Sequence, residues 1–521
     1  MRWLFVFLIA CGGHGDDDQT TPGDSAGVID AGPVSSCDPP GHFGGAPALT
    51  FTLPANGNTL AYDDVQAKFP NVDWKNLDRL YLPAGVYTQI MLGNLPDRSA
   101  DRPLIITNLG GQVQIGPAPT ANYIWSFTGG SNWILTGRYD PMSQTGDVNF
   151  PGHACGAYAE SKYGIVSDDA FAFSAPYLHM GLGVGNASDF EIEYVEVKRS
   201  GFAGIRLLNQ YDQVVRVMAN VKVHDTYVHD TGGEGYYFGW TGNPPSNLLP
   251  GLQIYNNRLL RTGNEALQIQ DLGDGSHIYN NTIVAGGLHW LDNGLGRYQD
   301  NNSQILTRQG QIEIDHNIFV DGAGTLVNFF SSPETNDGPR QVTFHDNYFA
   351  NTIDLGLYLN GTSDASSSFT FANNQFRGAV FAYTPIDSAA TDPKVLFGIN
   401  NAMAAPIAFS NNTWEGTDKL VNAGANITTT NNTNGPVTEL PFQYQSAGHH
   451  LTAWVATVTV SDPDHPAVFH QGDVVSYGDA PDFYMATGAT TSADVPGTAA
   501  VWMKLAAPAD DLRTNTGQGV Q

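Results

Sequence analysis

Leu252-Gln-Ile-Tyr-Asn-Asn257 and Ile312-Glu-Ile-Asp-His-Asn317 have one shape, in which two apolar residues flank a polar one and a polar run ends in Asn. Val342-Thr-Phe344 and Ile407-Ala-Phe409 open further copies, and the closing residue recurs at Asn257, Asn281, Asn317, Asn347, Asn374, Asn412 and Asn432. Two earlier copies, around Ile192 and Val221-Lys-Val223, place Val195 and Thr226 where the Asn would stand. From Val195 onward the intervals are 31, 31, 24, 36, 30, 27, 38 and 20 residues. Such unequal spacing does not suit a helical repeat but suits strands joined by loops of varying length. The pattern predicts a solenoid in which each copy is one rung. Stacked Asn side chains can hydrogen-bond along such a column, so the Asn positions are assigned to structure.

Composition agrees. Of 521 residues, 58 are Gly and only 14% are charged, which favours short strands and turns over helices and predicts an all-β chain. The 51 acidic against 23 basic residues give a net charge near -28, which repels nucleic acid and anionic lipid, so no nucleic-acid partner is expected.

Leu80-Tyr-Leu82-Pro-Ala-Gly-Val86-Tyr and Pro103-Leu-Ile-Ile-Thr-Asn108 resemble the opening strands of bacterial right-handed parallel β-helix proteins of the pectin-lyase-like superfamily. The likeness continues in pattern to about residue 436. It implies a single-stranded right-handed parallel β-helix over residues 46–436. After Gly435-Pro436 the rungs stop, and a small β module is expected over 437–506 with a tail at 507–521. Gly472-Asp-Val-Val-Ser-Tyr477, Tyr484-Met-Ala486 and Trp502 are similar to the small chitin- and cellulose-binding modules of carbohydrate-active enzymes. That resemblance implies sugar stacking on Tyr477, Tyr484 and Trp502; the alternative is that these rings fill a small core.

Met1-Arg2 and the apolar run Trp3 to Ala10 read as an export signal, and Leu8-Ile-Ala-Cys11 resembles a bacterial lipobox with Cys11 lipidated. Residues 1–11 are then signal and lipobox, and 12–45 a polar tether. The expected location is the outer membrane or cell surface through the lipid anchor. Cys37 and Cys155 are expected to pair in an oxidising compartment. A monomer is the default expectation.

The 31-residue intervals permit a column alignment. Arg199-Ser-Gly201-Phe-Ala203-Gly-Ile205-Arg206 falls over Asp230-Thr-Gly232-Gly-Glu234-Gly-Tyr236-Tyr237 and Arg261-Thr-Gly263-Asn-Glu265-Ala-Leu267-Gln268. Arg199, Asp230 and Arg261 form one column and Ala203, Glu234 and Glu265 another, while Arg206, Tyr237 and Gln268 face outward because Ile205, Tyr236 and Leu267 face inward. Paired carboxylates one rung apart need an offsetting charge. Three readings stay open: a ladder neutralised by arginine, a calcium site of Asp230, Glu234 and Glu265, or an acid and base acting on a glycosidic bond. A lyase would use the same carboxylates, with Lys198, Arg206 and Arg261 holding a uronate. His224, His229, His289 and His316 lack zinc-motif spacing and are expected in turns or at the surface. Asp271-Leu-Gly-Asp274-Gly is a fragment of a calcium-loop pattern. The ligand expected is a polysaccharide, which the chain either cleaves as a lyase or glycoside hydrolase, or binds without cleavage as a rigid display scaffold.

Overall fold

A computed structural model describes residues 43–117, 123–153, 158–170, 179–209, 217–239, 248–288, 301–322, 324–330, 338–352, 355–361, 365–377, 395–400, 403–415, 419–440, 451–454, 468–478 and 482–506. Cys11, Cys37, Cys155 and His289 lie outside the described residues, as do the expected signal and the C-terminal tail.

Each coil contributes one strand to a 12-stranded parallel sheet and two to a 23-stranded one, which together form a right-handed parallel β-helix. One coil shows how. Ile205–Leu207 lies in the 12-stranded sheet, Lys222–His224 opens the larger sheet, a two-residue bend follows, and Tyr227–Thr231 completes the turn. Val223 stacks on Ile254 and then on Ile278, Ile314, Phe344 and Phe371, so one apolar column fills the interior. Phe319, Phe349 and Phe376 stack beside it with centroids 5.1 and 4.6 Å apart.

The bend explains the repeated polar pair. Its first residue is left-handed at Asp225, Asn256, Asn280, His316, Asp346, Asn373, Asn411 and Asn431, with φ between 51° and 56°, a conformation in which Asn, Asp and His are enriched. Its second residue turns inward. Asn317 Nδ2 donates to Asn347 Oδ1 at 3.0 Å and to the Ile278 carbonyl at 2.8 Å, while its Oδ1 accepts from the Asn281 amide and side chain at 3.1 and 2.9 Å. The same links run unbroken from Asn257 to Asn432. Thr226 joins the top of this ladder through Asn257 Oδ1, at 2.9 Å from its hydroxyl.

Two additions cover the outside of the larger sheet. The segment between the strands Ser131–Thr136 and Ile165–Asp168 buries Tyr158 and Tyr163 against Tyr194 and Tyr227. At the far end Val437, Leu451, Val474 and Phe483 share one apolar cluster with Leu260, Val284, Ile318 and Val320. The C-terminal module, a four-stranded sheet, therefore packs on the shaft of the helix.

Candidate functional site

The register brings the predicted columns together. His229 lies beside Lys198 and Leu260, which sets Arg199, Asp230 and Arg261 in consecutive coils. All three are left-handed, at φ 49°, 56° and 56°, and the column continues through Ala285, Asp321 and Asn351. It marks the turn that leads into the 12-stranded sheet. The charges pair between coils: Arg261 Nε and Nη2 donate to Asp230 Oδ1 and Oδ2 at 2.6 and 3.0 Å, and Arg199 makes a two-point pair with Asp168, its Nε 2.8 Å from Oδ1. Arg308 repeats the device on Asp271 at 2.9 Å. The sequence expectation aligned these charges correctly, but the partner of each arginine is an aspartate of the preceding coil. Burial would raise the Asp230 carboxyl, yet Arg261 and His229 hold it well below the usual carboxylate range. Burial would lower His229, but hydrogen bonds to Asp230 and Glu196 carry it up to about 9.

Glu234 and Glu265 occupy consecutive coils, tied by the Gly235 amide donating to the Glu265 carbonyl at 3.1 Å. Both are 2% exposed, and Asn264 Nδ2 donates to Glu234 Oε1 at 3.4 Å. The space around them is tight, because a Cβ on Gly263 would lie 2.0 Å from the Gly232 carbonyl oxygen. The structure does not gather Asp230 with these two carboxylates: among the described residues, the His, Asp and Glu groups whose ligand atoms lie within 4.8 Å of one another do not contain that trio. Asp271 and Asp274 are also committed, the first to Arg308 and the second to the Gln311 amide at 2.8 Å.

Arg206, Tyr237 and Gln268 stand in one row on the outer face of the 12-stranded sheet, and the row continues through Gln304, Asn328 and Tyr358. The Arg206 guanidinium lies 5.3 Å from the Tyr237 ring centre and donates to the Tyr123 hydroxyl at 2.5 Å. Gln268 Nε2 donates to Gln304 Oε1 at 3.2 Å. Glycines open space for rings on this face, since a Cβ on Gly183 would meet Tyr123 at 2.4 Å and one on Gly398 would meet Tyr358 at 2.8 Å. Lys198 does not join this row. It sits on the other sheet, 2.7 Å from Glu160 and 3.2 Å from Glu196.

In the C-terminal module Trp502 is 7% exposed, packs with Phe469, and donates its indole N–H to the Asp494 carbonyl at 2.9 Å. It fills the module's core, as the alternative reading of these rings had it. Tyr477 is exposed, edge-on to Trp454 with centroids 5.4 Å apart, and Tyr484 is half-buried.

A buried relay was not foreseen. Asp225 accepts from His153 at 3.0 Å and from His224 at 2.8 Å, and His224 Nε2 reaches Glu191 at 2.9 Å. Burial would raise Asp225, but the two imidazoles bring it down to about 2; burial opposes charge on His224 too, and its carboxylate partners still raise it well above the usual imidazole value. His153 goes the other way, lowered first by burial. A neutral His153 accepts from the Tyr163 hydroxyl at Nδ1, 3.1 Å away, and donates to Asp225 from Nε2.

No family model and no curated protein matches the chain. Among solved structures it is similar to pectate lyase Pel9A, at 10% identity and TM-score 0.38 over 77% of this chain and 84% of that one. It is similar to an alginate lyase from Paenibacillus sp. str. FPU-7, at 14% identity and TM-score 0.38 over 67% and 99%. A third is the A-module of the Azotobacter vinelandii mannuronan C-5 epimerase AlgE4, at 14% identity and TM-score 0.34 over 67% and 90%.

Proposed function

We propose that the chain holds an extended polysaccharide along the outer face of the 12-stranded sheet, and that Glu234 and Glu265 supply the carboxyl pair that cleaves it. The observation that carries this reading is the outward row from Arg206 to Tyr358, six coils in unbroken register, in which Arg206, Gln304, Asn328 and Tyr358 are half-buried and Tyr237 and Gln268 are buried. Neighbouring coils repeat at ~4.8 Å, so a repeating polymer meets a repeating set of guanidinium, amide and phenol groups. Tyr123 and Tyr358 offer ring surface for the apolar faces of sugars. Glycosidases hold their carboxyls at ~5 Å for retention and ~6.5 to 9.5 Å for inversion, and a pair in adjacent coils falls in that span. The apolar start ending at Cys11 and the polar stretch after it support export and lipid anchoring at the outer membrane or cell surface.

A second reading, binding without cleavage, is favoured by the near-complete burial of Glu234 and Glu265 and by the ion pairing of Arg199, Asp230 and Arg261. One experiment separates the two. The protein is incubated with neutral and acidic glycans, with and without calcium, and product size, new reducing ends and unsaturated ends are recorded. Shortening that disappears in Glu234→Gln and Glu265→Gln supports cleavage; retention without shortening selects the binder; no retention on any glycan sinks both.

A further inference from the structure

On the outer face of the 23-stranded sheet, three consecutive coils bring imidazoles and carboxylates to one spot. His277 pairs in register with Glu313, and Asp315 pairs with His345. Glu313 and Asp315 share a strand and face the same side because side chains alternate, while His316 follows at the left-handed bend with φ 54°. His316 Nδ1 lies 2.5 Å from Asp315 Oδ2, and His345 Nε2 lies 2.8 Å from Glu313 Oε1. His277 Nε2 touches Asp315 Oδ1 and lies 3.8 Å from Glu313 Oε2. Two triads result, His277–Glu313–Asp315 and Asp315–His316–His345, each with one ligand atom per residue mutually within 4.8 Å. Asp315 belongs to both and turns one oxygen to each.

We propose that this patch binds a first-row divalent transition metal ion of the zinc type, with Asp315 as the shared ligand. The donor set decides the class of ion. Imidazole nitrogen with carboxylate oxygen suits zinc, cobalt or nickel, whereas calcium and magnesium take oxygen ligands. The rings are already positioned. His345 Nδ1 is held by Asp346 Oδ2 at 2.8 Å, which turns Nε2 into the cluster as an outer carboxylate does in a histidine–metal site. His277 stacks on Tyr279 with centroids 4.1 Å apart. His277, Glu313, Asp315 and His345 stand on hydrogen-bonded strands, which hold them more closely than loops would. An ion can reach them from solvent, since the His277, His316 and His345 side chains are 19, 36 and 23% exposed. By contrast, the group of Glu191, Glu193 and His224 is wholly buried. Histidine–carboxylate contacts already link these side chains, and those contacts alone are the competing account.

The full chain, stripped with a chelator, is titrated with Zn2+ by calorimetry and with Co2+ by visible absorption. Expected are Zn2+ binding, a cobalt d–d band that Zn2+ displaces, and no competition from Ca2+ or Mg2+. Asp315→Asn and His345→Gln each weaken Zn2+ by at least about tenfold, whereas Asp101→Asn, at an exposed carboxylate outside any cluster of possible ligands among the described residues, leaves it unchanged. His345→Gln, a half-exposed position, tests the site even where Asp315→Asn disturbs the fold. The proposal is overturned by absence of Zn2+ binding, by equal binding of Ca2+, or by wild-type affinity in both variants.

Discussion

Two adjacent columns at the bend of each coil share a backbone and face opposite ways. Inward, the column from Asn257 to Asn432 repeats one residue and one set of four hydrogen bonds, because its neighbours above and below are copies of itself. Outward, Asp225, Asn256, Asn280, His316, Asp346 and Asn373 share a left-handed φ, and their side chains link coils only in places, as where Asn280 Nδ2 donates to Asn256 Oδ1 at 2.5 Å. A side chain that suits this φ is admitted whatever else it does. So the inner column carries the fold, while the outer one is free to carry a buried relay at Asp225 and an exposed imidazole cluster at His316.

The largest effect is expected where the outer column has been drawn inside. Asp225→Asn keeps a residue that tolerates the bend but removes the carboxylate shared by His153 and His224, leaving the buried His224 imidazolium with Glu191 at 2.9 Å and Glu193 at 3.8 Å. Breaking one partner of such a buried pair costs about 3–5 kcal/mol, to be read from urea unfolding. The pH dependence has a defined sign. Asp225 is depressed to about 2 from 3.8, so its contribution is present above 3.8 and lost as pH falls through about 2. His224 is raised, so its contribution is complete below 6.5 and lost as pH climbs through its folded value. The gap between wild type and Asp225→Asn should be widest between about pH 4 and 6.5 and narrow on both sides; a gap independent of pH would contradict the relay.

Next comes the inner column. Asn374 accepts from the Asn347 amide at 3.1 Å and donates to the Phe344 carbonyl at 3.0 Å, both inside the stack. Asn374→Ala leaves these groups without partners and should cost on the order of 3 kcal/mol, since each buried orphan is worth about 1–3. Asn432 makes the corresponding bonds at the half-buried end of the ladder. There water replaces the amide, and Asn432→Ala should cost only about 1 kcal/mol. Equal losses at 374 and 432 would mean that the ladder's hydrogen bonds are not what stabilises it.

How much was legible follows the same division. The inner residues announced themselves, since Ile205, Tyr236 and Leu267 align at equal spacing and the Asn column marks the coils from Asn257 to Asn432. From these the position of Arg199, Asp230 and Arg261 in one column could be read. Which carboxylate each arginine would take could not, because reaching back to Asp168 or Asp230 is set by side-chain direction at a left-handed turn, and Arg at φ 49° or 56° has no sequence signature. The histidine cluster escaped for a different reason. His277, His316 and His345 are separated by unequal loops, so no fixed spacing reveals them. Counting back from Asn281, Asn317 and Asn347 would have placed Tyr279, Asp315 and His345 in one column and His277 beside Glu313. Tyr477, Tyr484 and Trp502 show the limit of motif likeness: the order of aromatics does not say which ring is core, and Trp502 is.

The smallest expected effect is the sharpest test of the contrast. Asn373 and Asn374 are the same residue one position apart, the first exposed and left-handed at φ 55°, the second fully buried. At Asn373 the backbone amide, not the side chain, holds the neighbouring coil, donating to the Ser410 carbonyl at 3.0 Å. Glycine keeps that amide and adopts positive φ without a Cβ penalty, at the expense of a looser unfolded chain. The two terms nearly cancel, and Asn373→Gly should stay within about 0.5 kcal/mol of wild type. A loss comparable to that of Asn374→Ala would show that the outer column is also bound by its side chains, and the freedom that lets it carry chemistry would then be absent.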